Sequence, residues 1–149
     1  MTARELEVGD TAPDFPAKLG NDVNSLYDML KTGPVVLYFY PKDFTSGCTT
    51  EACEFRDSLP LFVKKGATVI GVSSDSEEKH ARFAERYGLR FPLISDGERK
   101  IREMFGVRPT LGFIPGRTTF VISKQGKIIG KFSSQTQPKK HVEEALSKL

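Results

Sequence analysis

Apolar positions fall into short runs separated by polar loops, and the runs alternate between two periodicities. Val35 to Tyr40 is a continuous apolar run flanked by Pro34 and Pro41, the pattern of a strand buried on both faces. Ala67 to Ser73 (ATVIGVS) reads as a second such strand, and Phe91 to Ser95 as a short third. Between them the period becomes helical. His80, Phe83, Ala84 and Tyr87 share one side of a helix that Ser74-x-x-Glu77 can cap and Gly88 can end. Ser95-x-x-Glu98 can cap another, with Ile101, Met104 and Phe105 inward and Gly106 as its stop. Thr118 to Ser123 and Lys127 to Phe132 flank Lys124-Gln125-Gly126, a hairpin signal. A last helix carries Val142, Ala145, Leu146 and Leu149 on its apolar face. Upstream, Val8 to Leu19 reads as extended chain broken by Pro13 and Pro16, Gly20-Asn21-Asp22 as a turn, and Ser25 to Leu30 as one short helix.

Strand–helix alternation in the middle of the chain, followed by a hairpin, predicts an α/β domain with a mixed, partly parallel sheet and helices on both faces. At 149 residues the chain suits a single domain spanning 1–149. Ligands of such sheets bind beyond the carboxyl ends of the strands. The loop after Tyr40 is therefore the first place to expect chemistry.

Composition narrows the function. Net charge is only +3 and Lys139-Lys140 is the longest basic pair near the end, so nothing marks a nucleic-acid partner. No stretch approaches the roughly 18 apolar residues of a membrane helix. Met1 to Glu7 lacks the apolar core of a secretory signal, which gives the expectation of a cytoplasmic protein. There, two cysteines are more often reactive or metal-bound than structurally bridged.

Those two cysteines, Cys48 and Cys53, lie in the segment after the Val35–Tyr40 run. A polar loop ends near Cys48, where a helical pattern starts: Cys48, Ala52, Phe55 and Leu59 share one face. A thiol at a helix N-terminus can ionise at neutral pH, because free N–H groups and the helix dipole favour the anion. Cys53 falls about 140° round the helix, on the more polar face with Thr49, Arg56 and Asp57. Spacing alone is equally consistent with Cys48 as a core residue, since free cysteine is among the most buried residue types. The loop favours reactivity. Pro41 and Gly47 fix the backbone, and Thr45 places a hydroxyl three residues before the sulfur.

Pro41-x-x-x-Thr45-x-x-Cys48 resembles the active-site motif of the peroxiredoxins, and FYPKDFTSGCTTEACEFRD is similar to their bacterioferritin-comigratory-protein, or PrxQ, branch. Two further blocks match in order: Val8-Gly9-Asp10-Thr11-Ala12-Pro13-Asp14-Phe15 and Gly116-Arg117-Thr118-Thr119-Phe120-Val121-Ile122. Ser46 departs from the family's common proline and removes no reacting group. The resemblance implies a thioredoxin-like fold and a thiol-dependent peroxidase, monomeric and without cofactor or metal. It makes Cys48 the peroxidatic cysteine and Cys53 the resolving one. Thr45 and Arg117 become donors to the peroxide, Pro41 a shaping residue, and Glu51 the carboxylate that orients the arginine. It also implies a dithiol protein such as thioredoxin as reductant. Without it, Arg117 reads as a surface cation before a strand and Glu51 as a first-turn acid complementing the helix dipole.

Ionisation alone does not make a peroxidase. A thiol titrating near pH 8.5 is about 3% thiolate at pH 7, so full ionisation gains about thirty-fold, near 2 kcal/mol. The remainder has to come from alignment of the peroxide and stabilisation of charge on the breaking O–O bond. Two rival readings fit less well. A zinc module would want closer cysteines than Cys-x4-Cys and histidines nearer than His80 and His141. A thioredoxin-type oxidoreductase would want Cys-x-x-Cys.

Overall fold

The computed structural model describes residues 4–19, 22–109 and 116–149. Its centre is a five-stranded sheet in the order β5-β4-β3-β6-β7. The strands are β3 (Val35–Phe39), β4 (Thr68–Ser73), β5 (Leu93–Ser95), β6 (Thr118–Ile122) and β7 (Ile128–Ser133). β3 pairs in parallel with β4, and β4 with β5, whereas β6 runs antiparallel to both β3 and β7. The sheet is thus mixed, as the alternation predicts. A separate hairpin precedes it, β1 (Pro16–Leu19) with β2 (Asp22–Ser25), in register Leu19↔Asp22. The expected Gly20-Asn21-Asp22 turn lies mostly outside the described residues. Asp22–Ser25 is short and largely polar, and carries no strand signal in its sequence.

Side chains alternate across β3 and divide the core in two. Val35, Leu37 and Phe39 pack with Leu26, Leu30, Ile101 and Phe105 beneath α1 (Leu26–Leu30) and α4 (Lys100–Met104). Val36, Tyr38 and Tyr40 face the other way, against α2 (Ser46–Lys64), α3 (Glu77–Tyr87) and α5 (Pro138–Ser147). Every residue of β3 is buried, which is why its sequence shows no polar alternation.

Helix ends are where the structure departs from expectation. Ser76, not Ser74, caps α3 and accepts from Lys79 N at 3.2 Å. The C-terminal signal holds, with Gly88 in the left-handed region at φ 62°. α4 is not capped by Ser95, whose hydroxyl donates to Asp75 O at 2.6 Å. Asp96 takes over, accepting from the N–H of Ile101 (3.1 Å) and Arg102 (2.9 Å). A carboxylate complements a helix N-terminus better than a hydroxyl does. The shift in start turns Arg102 inward and leaves Met104 41% exposed, against the expectation that Met104 packs in the core.

Candidate active site

β3 ends directly beneath the cysteine loop. Tyr40 N still bonds Val72 O at 3.1 Å, and the chain then leaves the sheet through half-buried Pro41. Phe44 takes a positive φ of 67° and packs its ring on Phe83 and Tyr87 of α3. Thr45 is the N-cap residue of α2, in extended conformation, and its side chain makes no capping bond. The first-turn N–H groups, including that of Cys48, are therefore left without a side-chain acceptor. Thr45 Oγ1 lies 2.9 Å from Lys42 O. A carbonyl only accepts, so the Thr45 hydrogen is spent there and its lone pairs stay free. This corrects the expectation of Thr45 as a donor: it is placed to accept.

Cys48 is 1% exposed, on the inward face that the spacing predicts with Ala52 and Phe55. Arg117 Nη2 approaches its sulfur to 3.2 Å, across 69 residues of sequence. Gly47 makes room for this approach, since a Cβ there would stand 3.1 Å from Nη2. Arg117 Nη1 donates to Glu51 Oε1 at 2.9 Å, with both side chains buried. The guanidinium therefore bridges the thiol and the carboxyl one turn later on the same helix. Burial works against its charge, but Glu51 and Cys48 outweigh burial and hold Arg117 above its ordinary value. Glu51 is fully buried, and that burial pushes its carboxyl up to about 8 despite Arg117.

Cys53 is half-buried, on the other side of α2 near Arg56. Both cysteines are free thiols and both lie within one unbroken helix.

The site's architecture has relatives. Residues 8–131 match the AhpC/TSA family. The chain belongs to that family, the peroxiredoxins. Chloroplastic Peroxiredoxin Q of Sedum lineare is 45% identical over 142 residues, covering 95% of this chain and 76% of that protein. The crystal structure of Peroxidoxin BcpB from Mycobacterium tuberculosis superposes with a TM-score of 0.89 at 39% identity, covering 97% of this chain and 96% of that one. A cysteine-to-serine mutant of PrxQ from Xylella fastidiosa gives 0.87 at 35% identity, covering 98% and 96%. The fold is the thioredoxin-like fold of these peroxiredoxins, and the chemistry the family implies is thiol-dependent reduction of peroxides.

Three polar residues at this peroxiredoxin site carry no legible motif. Arg102 donates to Gly116 O (2.8 Å) and Tyr40 O (3.1 Å), tying the end of β3 to the residue before Arg117. Burial lowers its guanidinium to about 10, which leaves it charged at neutral pH. Tyr38 stacks on Phe55 with ring centroids 4.5 Å apart, and its hydroxyl lacks a partner among the described residues. Its phenol is pushed well up, first by burial and then by Glu51 and Cys48. His141 of α5 sits behind Glu51, its Nδ1 3.5 Å from Oε2. Helical periodicity marks Arg102 as solvent-facing, and His141 stands beside the apolar face of α5. Only the tertiary fold brings either to the cysteine.

Proposed function

We propose that this peroxiredoxin reduces hydrogen peroxide and organic hydroperoxides through a Cys48 sulfenic acid and a Cys48–Cys53 disulfide. A dithiol protein of the thioredoxin kind would recycle it. The observation that carries the reading is the 3.2 Å contact of Arg117 with the Cys48 sulfur at an uncapped helix N-terminus. The Cys48 thiolate attacks the peroxide oxygen and the O–O bond breaks: Cys–S⁻ + ROOH + H⁺ gives Cys–SOH + ROH. Arg117 and the Cys48 N–H stabilise charge on the two oxygens, and Thr45 accepts the peroxide's hydrogen. Cys53 then condenses with the sulfenic acid, releasing water, and the reductant's two thiols reduce the disulfide.

The second step demands motion. Residues five apart in an α-helix have Cα atoms about 8.6 Å apart, against the roughly 4.4–6.8 Å of a disulfide. The first turns of α2, about residues 48–56, must unwind in every cycle. Unwinding carries Glu51 away from Arg117 and dismantles the anion site, so the oxidised protein binds peroxide poorly and exposes its disulfide to the reductant. Such local openings cost less than global unfolding.

A thioredoxin-coupled NADPH assay tests the division of labour. Cys48→Ser abolishes turnover, and Cys53→Ser retains one fast turnover but no steady state. Peroxidase activity surviving in Cys48→Ser rejects the assignment. Amide exchange adds the motion: protection of residues 49–55 falls on oxidation while β3 stays protected. Equal protection in both redox states excludes unwinding.

A further inference from the structure

Glu51 is satisfied on one side only. Oε1 accepts from Arg117, while Oε2, inside a fully buried side chain, has no hydrogen-bond partner among the described residues. An unpaired carboxylate oxygen in such a place carries the whole cost of its desolvation. The nearest polar atom recorded beyond it is His141 Nδ1, 3.5 Å away on a ring that is itself fully buried.

The tautomer of that ring follows from its other contacts. His141 Nε2 lies 2.8 Å from Ser134 O, and a carbonyl oxygen can only accept. Nε2 therefore carries a hydrogen. In the neutral ring Nδ1 is then bare, and the Thr119 hydroxyl at 2.8 Å can donate to it. A bare nitrogen facing a carboxylate oxygen is two lone pairs opposed. One hydrogen on Oε2 removes the conflict and satisfies both atoms.

We propose that His141 is a positioning residue of the peroxide site: its bare Nδ1 holds the hydrogen of a neutral Glu51 carboxyl, so that Glu51 orients Arg117 without cancelling the charge Arg117 presents to Cys48. The proposal rests on the reading of Cys48 as the peroxide-attacking thiol. Its consequence is electrostatic. An ionised Glu51 would share the guanidinium with the sulfur and weaken its pull on the thiolate. A neutral Glu51 still accepts from Nη1 through its carbonyl oxygen, fixing the fork of donors, and leaves the full positive charge for the sulfur and the peroxide.

The groups that face Glu51 agree. They are Arg117 ahead of β6, His141 on α5, Tyr38 on β3, and Cys48 one turn earlier on α2. Arg117 alone favours the carboxylate. Burial acts the other way on both members of the pair, raising Glu51 to about 8 and lowering His141 to about 4. Both directions put the shared hydrogen on Glu51 rather than on the ring. Glutamine at position 51 would reproduce this arrangement, with its oxygen toward Arg117 and its NH₂ toward Nδ1.

Two measurements test it. Nitrogen–proton correlation spectra of the His141 ring in the reduced wild-type protein, from pH 5 to 8, should show hydrogen on Nε2 and none on Nδ1. An imidazolium at pH 7, or a hydrogen on Nδ1, overturns the proposal whatever Cys48 does. The second readout is the pH profile of Cys48 alkylation by iodoacetamide, followed on the Cys48 peptide. His141→Asn removes the bare nitrogen and can offer a hydrogen instead, which favours charged Glu51. The profile should move to higher pH by about one unit, ten-fold in the thiolate–thiol ratio. In a Glu51→Gln background the same substitution should not move it. An equal shift in both backgrounds means a merely structural histidine and rejects the proposal. Should His141→Asn fail to fold, Glu51→Gln alone decides: a profile shifted by about a unit overturns it, an unshifted one supports it.

Discussion

Two buried carboxyl–histidine clusters flank the cysteine loop, and they are finished differently. On the α3 side, Asp43 is closed. Tyr40 donates to its Oδ1 at 2.5 Å, His80 Nδ1 meets its Oδ2 at 2.5 Å, and His80 Nε2 points at Ile94 O at 3.1 Å. The Asp43 N–H is also taken, by Asp75 at 2.6 Å. On the α5 side, Glu51 and His141 leave Oε2 unpartnered among the described residues. The ingredients are alike, yet the first cluster has each carboxyl oxygen engaged and the second has one to spare. A closed network fixes a backbone. This one pins the residue before Phe44, whose positive φ launches the chain toward α2. An open one can answer a change in charge at its neighbour, and the neighbour here is the arginine on Cys48.

The contrast can be broken from the closed side with the largest effect. Asp43→Ala strands Tyr40 and His80 in the core, and should cost about 3–5 kcal/mol in denaturant unfolding. A loss under about 1 kcal/mol, the worth of one ordinary hydrogen bond, would show the cluster is not the anchor.

The open side should show itself in the pH dependence of stability. Glu51 rises from 4.5 to about 8 on folding, so its contribution is complete below its unfolded value and drains as pH climbs toward 8. His141 falls from 6.5 to about 4, so its contribution is complete above 6.5 and is lost as pH drops toward 4. Between those limits the two slopes oppose each other. Above pH 6.5 only Glu51 of the pair acts, and stability falls by up to about 1.4 kcal/mol per pH unit. Glu51→Gln should flatten that descent, and an unchanged slope would contradict the assignment.

Arg117→Lys keeps the charge but cannot hold the sulfur and Glu51 at once with a planar fork. The second-order rate with hydrogen peroxide should fall at least ten-fold, on the order of 1.4 kcal/mol, by stopped flow. The smallest effect is expected at Gly47. Gly47→Ala favours the helix by roughly 0.5–1 kcal/mol yet crowds Nη2 at 3.1 Å, so stability should rise while the peroxide rate drops a few-fold. A rise in both would show that the approach of Arg117 has slack.

Much of the molecule is legible along the chain. β3, β4, the inward face of α2 and the β6–β7 hairpin are encoded in contiguous runs of side chains, and local periodicity reports them. The cysteine loop is legible because its chemistry is contiguous too. The caps are less so: Ser74, Ser76, Ser95 and Asp96 are near-equivalent locally, and packing of the helix decides which one is used. Arg102 and His141 are not legible as site residues. Each acts through an atom that lies distant in sequence, Gly116 O for one and Glu51 Oε2 for the other. Asp43 and His80 are hidden likewise, 37 residues apart and joined only by the packing of α3 against the loop.

Everything at this site depends on Cys48 being the atom that takes oxygen from the peroxide. Reduced Cys53→Ser protein, treated with one equivalent of hydrogen peroxide in the presence of dimedone and digested for mass spectrometry, reads this directly. The predicted result is near-stoichiometric dimedone on the Cys48 peptide, lost in Arg117→Lys when the reaction is quenched early. Peroxide consumed with Cys48 unmodified would contradict it.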